Sequence, residues 1–427
     1  MMNASSLIAH AIADPVVGPL FNFVPAVSRV EDLQLPNIQA ERIIEGPDTG
    51  AQMEAARYIR NCRPGDLVVF IIVWKDGWAR LIGRYKKDLH GPDSTFIRLM
   101  NLPTHLIRTP LATLHVYTTS SKYSRFCDEL LVEDLVHLEA SPLVVPSTKT
   151  GKIERVWVRL IGHAGDHVAR AEVSGHQSAR CSKPSLECTV GKEFLSHCHS
   201  VPRLHTLRNS RDAAVLVEKM LKGSQGEQQA ARAAMLELGM NPDHISLYWQ
   251  LPSFARDFYL LFVMDLLHIL PLGVEKMILS AIPTRFGKQA AVQINNALLA
   301  IKESWLVPTE LANIGAIYVN MDTTPKLRSI RGEDIILIFA FAEYLFSGID
   351  CAEDLKPVWK STLLLQKCLL RKRWSFPIHS LEYHPVRTDW IRSLRTAFGA
   401  FINLNRPNVV ACTSVSFCSI NLNPSCN

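Results

Sequence analysis

The chain has 427 residues, 48% of them hydrophobic, which is enough to bury one or more cores and excludes a disordered protein. Its 46 basic and 40 acidic residues leave a formal charge of +6, a mild excess that fits nucleic acid binding without requiring it. The ten cysteines form no dense framework, and residues 1–30 show no basic n-region, uninterrupted apolar run or small-residue cleavage site. The expectation is therefore a nuclear or cytoplasmic protein with free thiols, not a secreted disulfide scaffold.

In chain order, residues 1 to 60 hold scattered prolines and no sustained period before a helix-like patch at Gln52 to Ile59, and are taken as a lead-in. Leu67 to Trp74, LVVFIIVW, is an unbroken apolar run between Pro64-Gly65 and Asp76-Gly77, which predicts a strand buried on both faces. Strand-like runs follow at Trp78 to Tyr85, Thr95 to Leu102 and Leu111 to Thr118. Ser121 to Glu139 predicts a helix with Phe126, Leu130, Leu131, Leu135 and Leu138 on one face. Val156 to Ile161 reads as a further buried strand, broken at Gly162 and Gly165 just before Asp166.

Asp76 and Asp166 thus each stand at the carboxyl end of a predicted strand, where open α/β sheets gather their chemistry. The intervening helix predicts that the later strand runs parallel to the first, and beside it if the two share a sheet. Two carboxylates brought together in this way would suit Mg²⁺ or Mn²⁺, as in ribonuclease H-like nucleases, where paired acids hold two ions that activate water and stabilise the leaving oxygen. The alternative is that both are turn residues, with Asp166 capping the helix that follows.

Cys181 to His205 gathers Cys181, Cys188, Cys198, His197, His199 and His205. Four of these could hold a Zn²⁺, with Cys181, Cys188, Cys198 and His205 the candidate set. Cys181 and Cys188 are spaced C-x6-C rather than C-x2-C, so free thiols in a polar loop are the competing reading. Asp212 to Leu238 is helical, broken at Gly223 to Gly226. Phe258 to Ile282 is largely apolar but carries Asp265, His268, Pro271, Glu275 and Lys276, a load that excludes a membrane span. Asp265 and His268, three residues apart, share a helical face and could bond each other or share a metal. Further helices are predicted at Lys288 to Trp305, Glu333 to Phe346 and Leu355 to Lys372, making the second half α-rich. Arg371, Lys372 and Arg373 beside Trp374 form a basic-aromatic cluster that could touch a nucleic acid backbone or simply be solvated.

Several segments together resemble the Plavaka-like group of eukaryotic DNA transposases, related to the Kyakuja-Dileera-Zisupton elements common in fungal genomes. The resemblance runs from about Leu67 to Phe346. VFIIVWKDGWARLIGRYKK followed by MNLP is similar to the first catalytic strand, with Asp76 matching the first acid. IGHAGDHVARAEVSGH is similar to the segment of the second acid, matched by Asp166, and CSKPSLECTV to the cysteine segment that comes next. The most specific match is LPSFARDFYLLFVMDLLHILPLGVEK, whose Asp265, His268 and Gly273 fall on the signature leading into the family's helical insertion. LRSIRGEDIILIFAFAEYLF resembles a helix inside that insertion.

The resemblance implies an α/β fold with a ribonuclease H-like mixed sheet interrupted by a large α-helical insertion, DNA as partner, and metal-dependent cleavage and strand transfer. It leaves homo-oligomerisation open. The implied organisation is a lead-in at 1–60, the N-terminal part of the core at 61–180, the Cys/His segment and helical insertion at 181–375, and an incomplete core remainder with an irregular tail at 376–427. A third acid belongs beyond the insertion. FPIHSLEYHP is the nearest counterpart of the segment that should precede it, and Glu382 inside it is not assigned that role. No G-x-S-x-G, P-loop or H-E-x-x-H motif points to another enzyme class. The expectation is a transposase-derived chain with impaired or lost activity; the alternative is a non-catalytic relic or domesticated copy that binds DNA or a protein partner.

Overall fold

The computed structural model describes residues 3–33, 53–54, 56–77, 92–107, 109–165, 167–177, 181, 183, 186, 207–251, 258, 261–264, 270–303, 313–369, 389–390, 392–394 and 396–398. They fall into two compact units, one of residues 1–189 with 205–264, the other of 190–204 with 265–427.

The N-terminal unit is built on a mixed sheet. Helix α1 (Ala4–Ala13) leads to β1 (Val24–Pro25) and then to the central strand β2 (Leu67–Gly77). β3 (Pro92–Leu99) and β4 (Thr113–Ser120) follow, then the helix α2 (Ser121–Ala140), β5 (Leu143–Ser147) and β6 (Lys152–Gly165). Helices α3 (His167–Ser174), α4 (Leu207–Lys222) and α5 (Gln225–Glu237) come before the short strand β7 (Phe262–Met264). The strand order is β4-β3-β2-β6-β5, with β1 on β2 and β7 on β6. β2, β3 and β4 are antiparallel neighbours, whereas β6 is parallel to β2 and β7 parallel to β6.

β2 is central because it is apolar on both faces. Val69, Ile71 and Val73 face a core shared with α1 and α2, while Val68 and Phe70 meet Ile59, Trp157 and Ile161 on the other side. Two buried polar groups hold this frame. Asp66 accepts from Arg155 Nε (2.8 Å), Trp157 Nε1 (2.7 Å) and the Arg63 backbone N–H (3.0 Å), tying the start of β2 to β6. Burial alone would raise the Asp66 carboxyl, but donors from Arg155, Arg63 and Trp157 outweigh it and hold the group below its ordinary value. Asn101 acts as a short piece of strand edge, accepting from Phe70 N–H at 2.6 Å and donating to Val68 and Asn22 carbonyls at 3.1 and 2.9 Å.

Three local readings differ from the structure. Phe126 and Leu130 are exposed, at 60% and 39%, while Leu131, Val132, Leu135 and Leu138 are buried. At about 100° per residue, Phe126 lies about 140° and Leu130 about 100° around the helix from Leu131, so the buried stripe is narrower than the apolar pattern. β5, which the sequence reading passed over, is a five-residue edge strand containing Pro146. α1, placed by the sequence in a featureless lead-in, buries Ala4, Ile8, Ala11 and Ile12 in the sheet's core.

In the C-terminal unit a π-turn (Leu270–Glu275) opens into α6 (Lys276–Glu303), which breaks at Gly287 with φ of +85°. A hairpin of β8 (Tyr318–Val319) and β9 (Lys326–Leu327) follows, then α7 (Gly332–Ala340), α8 (Ala342–Phe346) and α9 (Ala352–Leu369). Asn295 of α6 pins the hairpin, accepting from the Ile317 and Tyr318 N–H groups at 2.9 and 3.0 Å and donating to the Tyr318 carbonyl at 2.9 Å. Trp390 is fully buried and donates from its indole to Thr362 of α9 at 3.1 Å. No helix among the described residues is long and apolar enough to cross a membrane.

Candidate functional site

The carboxyl ends of β2 and β6 lie side by side. The parallel ladder between them runs from Leu67↔Val156 to Trp74↔Ala164, with a register shift between Ile71 and Ile72. Asp76 belongs to β2, where its backbone pairs with Ser94 of β3. β6 ends at Gly165, and α3 begins at His167, as either reading of the intervening acid requires. Asp166 itself lies outside the described residues. Gly165 is small for a reason: a Cβ there would sit 3.2 Å from Ala169 Cβ and 3.3 Å from the Lys75 carbonyl, so the glycine lets α3 pack closely against the end of β2.

Around this end the structure gathers groups that the sequence reading did not single out. Lys75, only 3% exposed, donates to Asp128 of α2 at 2.9 Å, and the Tyr117 hydroxyl of β4 donates to the same carboxylate. Burial and the neighbouring Asp128 charge together push the Tyr117 phenol well above its ordinary range. His163 of β6 is enclosed against the rings of Tyr248 and Phe262, and its Nδ1 has no partner among the described residues. Burial first, then the nearby Lys75 and Arg170 charges, push it down to about 3, so the imidazole is neutral at physiological pH. A small cleft opens beside these groups, walled by Lys75, Asp128, Glu172, His244 and Tyr248. Arg125 bridges its rim, 2.9 Å from His244 Nδ1. The sequence signals for this cluster were a lysine directly after an apolar run and a histidine after Gly162. Asp128, the partner of Lys75, and Tyr117, which bonds the same carboxylate, lie 53 and 42 residues from Lys75 in the chain.

The Cys/His segment is described only at its start. Cys181 is buried and donates from Sγ to the Lys183 carbonyl at 2.9 Å, on which His176 Nε2 also converges at 3.0 Å. Gly239 allows this approach at φ of +78°, since a Cβ there would meet His176 Nε2 at 2.9 Å and Cys181 Sγ at 3.3 Å. Cys188, Cys198 and His205 lie outside the described residues, as do Asp265, His268, Arg371, Lys372, Arg373 and the predicted strand from Trp78 to Tyr85. Gly273 lies in the π-turn. Among the described residues no group of three or more His, Cys, Asp or Glu side chains could hold a metal ion.

The fold and these groups define an α/β protein with a mixed sheet whose parallel central strands end next to a buried, charge-bearing cluster. No protein-family model matches the chain, and no curated protein matches it in sequence.

Proposed function

We propose that the N-terminal unit is a ribonuclease H-like core of transposase descent, built for metal-dependent cleavage of DNA phosphodiesters, with cleavage weak or lost in this chain. The observation that carries this reading is the parallel β2–β6 ladder: Asp76 comes two residues after Trp74, and Asp166 two residues after Ala164, its last pair. Three antiparallel strands, a helix and a later strand parallel to the first support a ribonuclease H-like order, to which the edge strand β5, antiparallel to β6, is an addition between helix and parallel strand. The resemblance of the segments around both acids to Plavaka-like transposases supports the same pairing.

Two carboxylates are hard oxygen donors of the kind Mg²⁺ and Mn²⁺ prefer, so the donor set fits such ions, though two acids leave them short of protein ligands. When bound, the ions would supply an activated water and charge stabilisation at the leaving oxygen. The chain's own part would be to present Asp76 at the end of β2 and Asp166 in the sequence just after β6, with Gly165 letting α3 pack closely against the end of β2. The neutral His163 and Lys75, the latter paired with Asp128, are buried groups of the same two strands, near their carboxyl ends.

The test is Mn²⁺ binding by electron paramagnetic resonance together with nicking of supercoiled DNA. Weak Mn²⁺ binding that disappears in both Asp76→Asn and Asp166→Asn, with little or no nicking, is the expected result. Cleavage that survives Asp166→Ala, or Mn²⁺ binding indifferent to both variants, would overturn the assignment. DNA affinity falling steeply with salt, without any Mn²⁺ binding, would instead select the non-catalytic DNA-binding reading.

A further inference from the structure

The C-terminal unit contains a buried carboxyl group without a hydrogen-bond donor among the described residues. Glu275 ends the π-turn directly before α6, its side chain is 0% exposed, and neither oxygen has a hydrogen-bond partner among the described residues. The turn packs against α6 and α7, whose buried residues include Ile278, Leu279 and Ile282 on α6 and Ile335, Ile338 and Phe339 on α7. The charged side chains of these two helices do not compensate it. On α7, Glu333 is exposed and Asp334 is tied to Arg331 at 2.8 Å. On α6, Arg285, Lys288 and Glu303 are exposed, and neither these nor the half-buried Lys276 and Lys302 displaces its proton equilibrium; among the described residues, burial is the cause that acts on it. A π-turn is a widened, less regular piece of helix, a natural place for backbone to yield.

We propose that Glu275 is a proton-operated latch of the C-terminal unit: in its neutral form it stays packed and holds the π-turn closed, and on ionising it draws the turn open toward water. Without a compensating donor among the described residues, desolvation pushes the carboxyl up to about 8, whereas in the opened, solvated turn it returns to the ordinary range near 4.5. The closed turn therefore keeps a proton that the open turn releases throughout that window. Closure is fully favoured below the lower value and loses tenfold per pH unit as pH rises, until it levels off above the upper one.

Hydrogen exchange of the full chain tests this, following backbone amides of residues 270–282 from pH 6 to pH 9 after correction for the intrinsic exchange rate. The opening constant of the wild-type protein should rise about 50-fold between pH 6 and pH 8, reach about 100-fold by pH 9 and flatten there. In Glu275→Gln it should be flat across the range, and Glu275→Met, which removes the polar atoms altogether, gives the same readout should the glutamine variant fail to fold. A flat wild-type profile, or an equal rise in whichever variant folds, overturns the proposal.

Discussion

Asp66 in the N-terminal unit and Glu275 in the C-terminal unit are both buried, at 2% and 0% exposed, yet they are held in opposite charge states. Asp66 receives donors from a guanidinium, an indole and a backbone N–H, and stays ionised below its ordinary value. Glu275 receives none from the described residues and is pushed up to about 8 by burial. Burial thus fixes how much a carboxyl's surroundings matter, and the donors within reach decide which form survives. The two units should in consequence respond to pH in opposite directions. Acid should loosen the N-terminal unit, and alkali the C-terminal one.

The largest effect expected on this contrast comes from Asp66→Ala. It strands the buried Trp157 N–H, removes the partner of Arg155 and cuts the tie between β2 and β6. A loss of about 3 kcal/mol is expected in denaturant unfolding followed through exchange of the β2 and β6 amides. A loss below about 1 kcal/mol would mean that the buried carboxylate gains little from its donors, and the contrast with Glu275 would lapse.

His163 sharpens the acid side of the comparison. Its folded-state value of about 3 lies below the ordinary 6.5, so as pH falls the unfolded chain takes up a proton that the folded unit refuses. Stability from this group is complete above 6.5 and falls by tenfold per pH unit down to about 3, which is about 2 kcal/mol by pH 5. His163→Phe, packed between the same Tyr248 and Phe262 rings, should flatten the unfolding curve of the N-terminal unit between pH 6.5 and pH 5. An unchanged acid limb would assign that limb to other groups.

The smallest expected effect is at Gly165. A methyl group there presses on Ala169 and on the Lys75 carbonyl at 3.2 and 3.3 Å, so Gly165→Ala should cost about 1 kcal/mol, with faster amide exchange confined to α3 and the ends of β2 and β6. A neutral result would show that α3 has room to shift, and that the close approach at the strand ends is not required.

The sequence by itself determined the central strand. Eight consecutive apolar residues from Leu67 can be satisfied only by burial on both faces, and their local composition predicts that without knowing what covers them. It also determined the helix from Ser121, the strand before Gly165, the break between α4 and α5, and the placing of Asp76 at a strand's carboxyl end, since each rests on a short-range period or punctuation. Tertiary structure decided the rest. The apolar pattern of α2 is wider than its partner surface, so only packing shows that Phe126 and Leu130 are left outside. The docking of α1, the edge pairing of β5, and the meeting of Lys75 with Asp128 and Tyr117 join residues far apart in the chain, and no local period carries such a pairing. The same holds for charge state: aspartate at 66 and glutamate at 275 are ordinary acids as letters, and only the donors that folding brings, or fails to bring, within hydrogen-bond distance separate them.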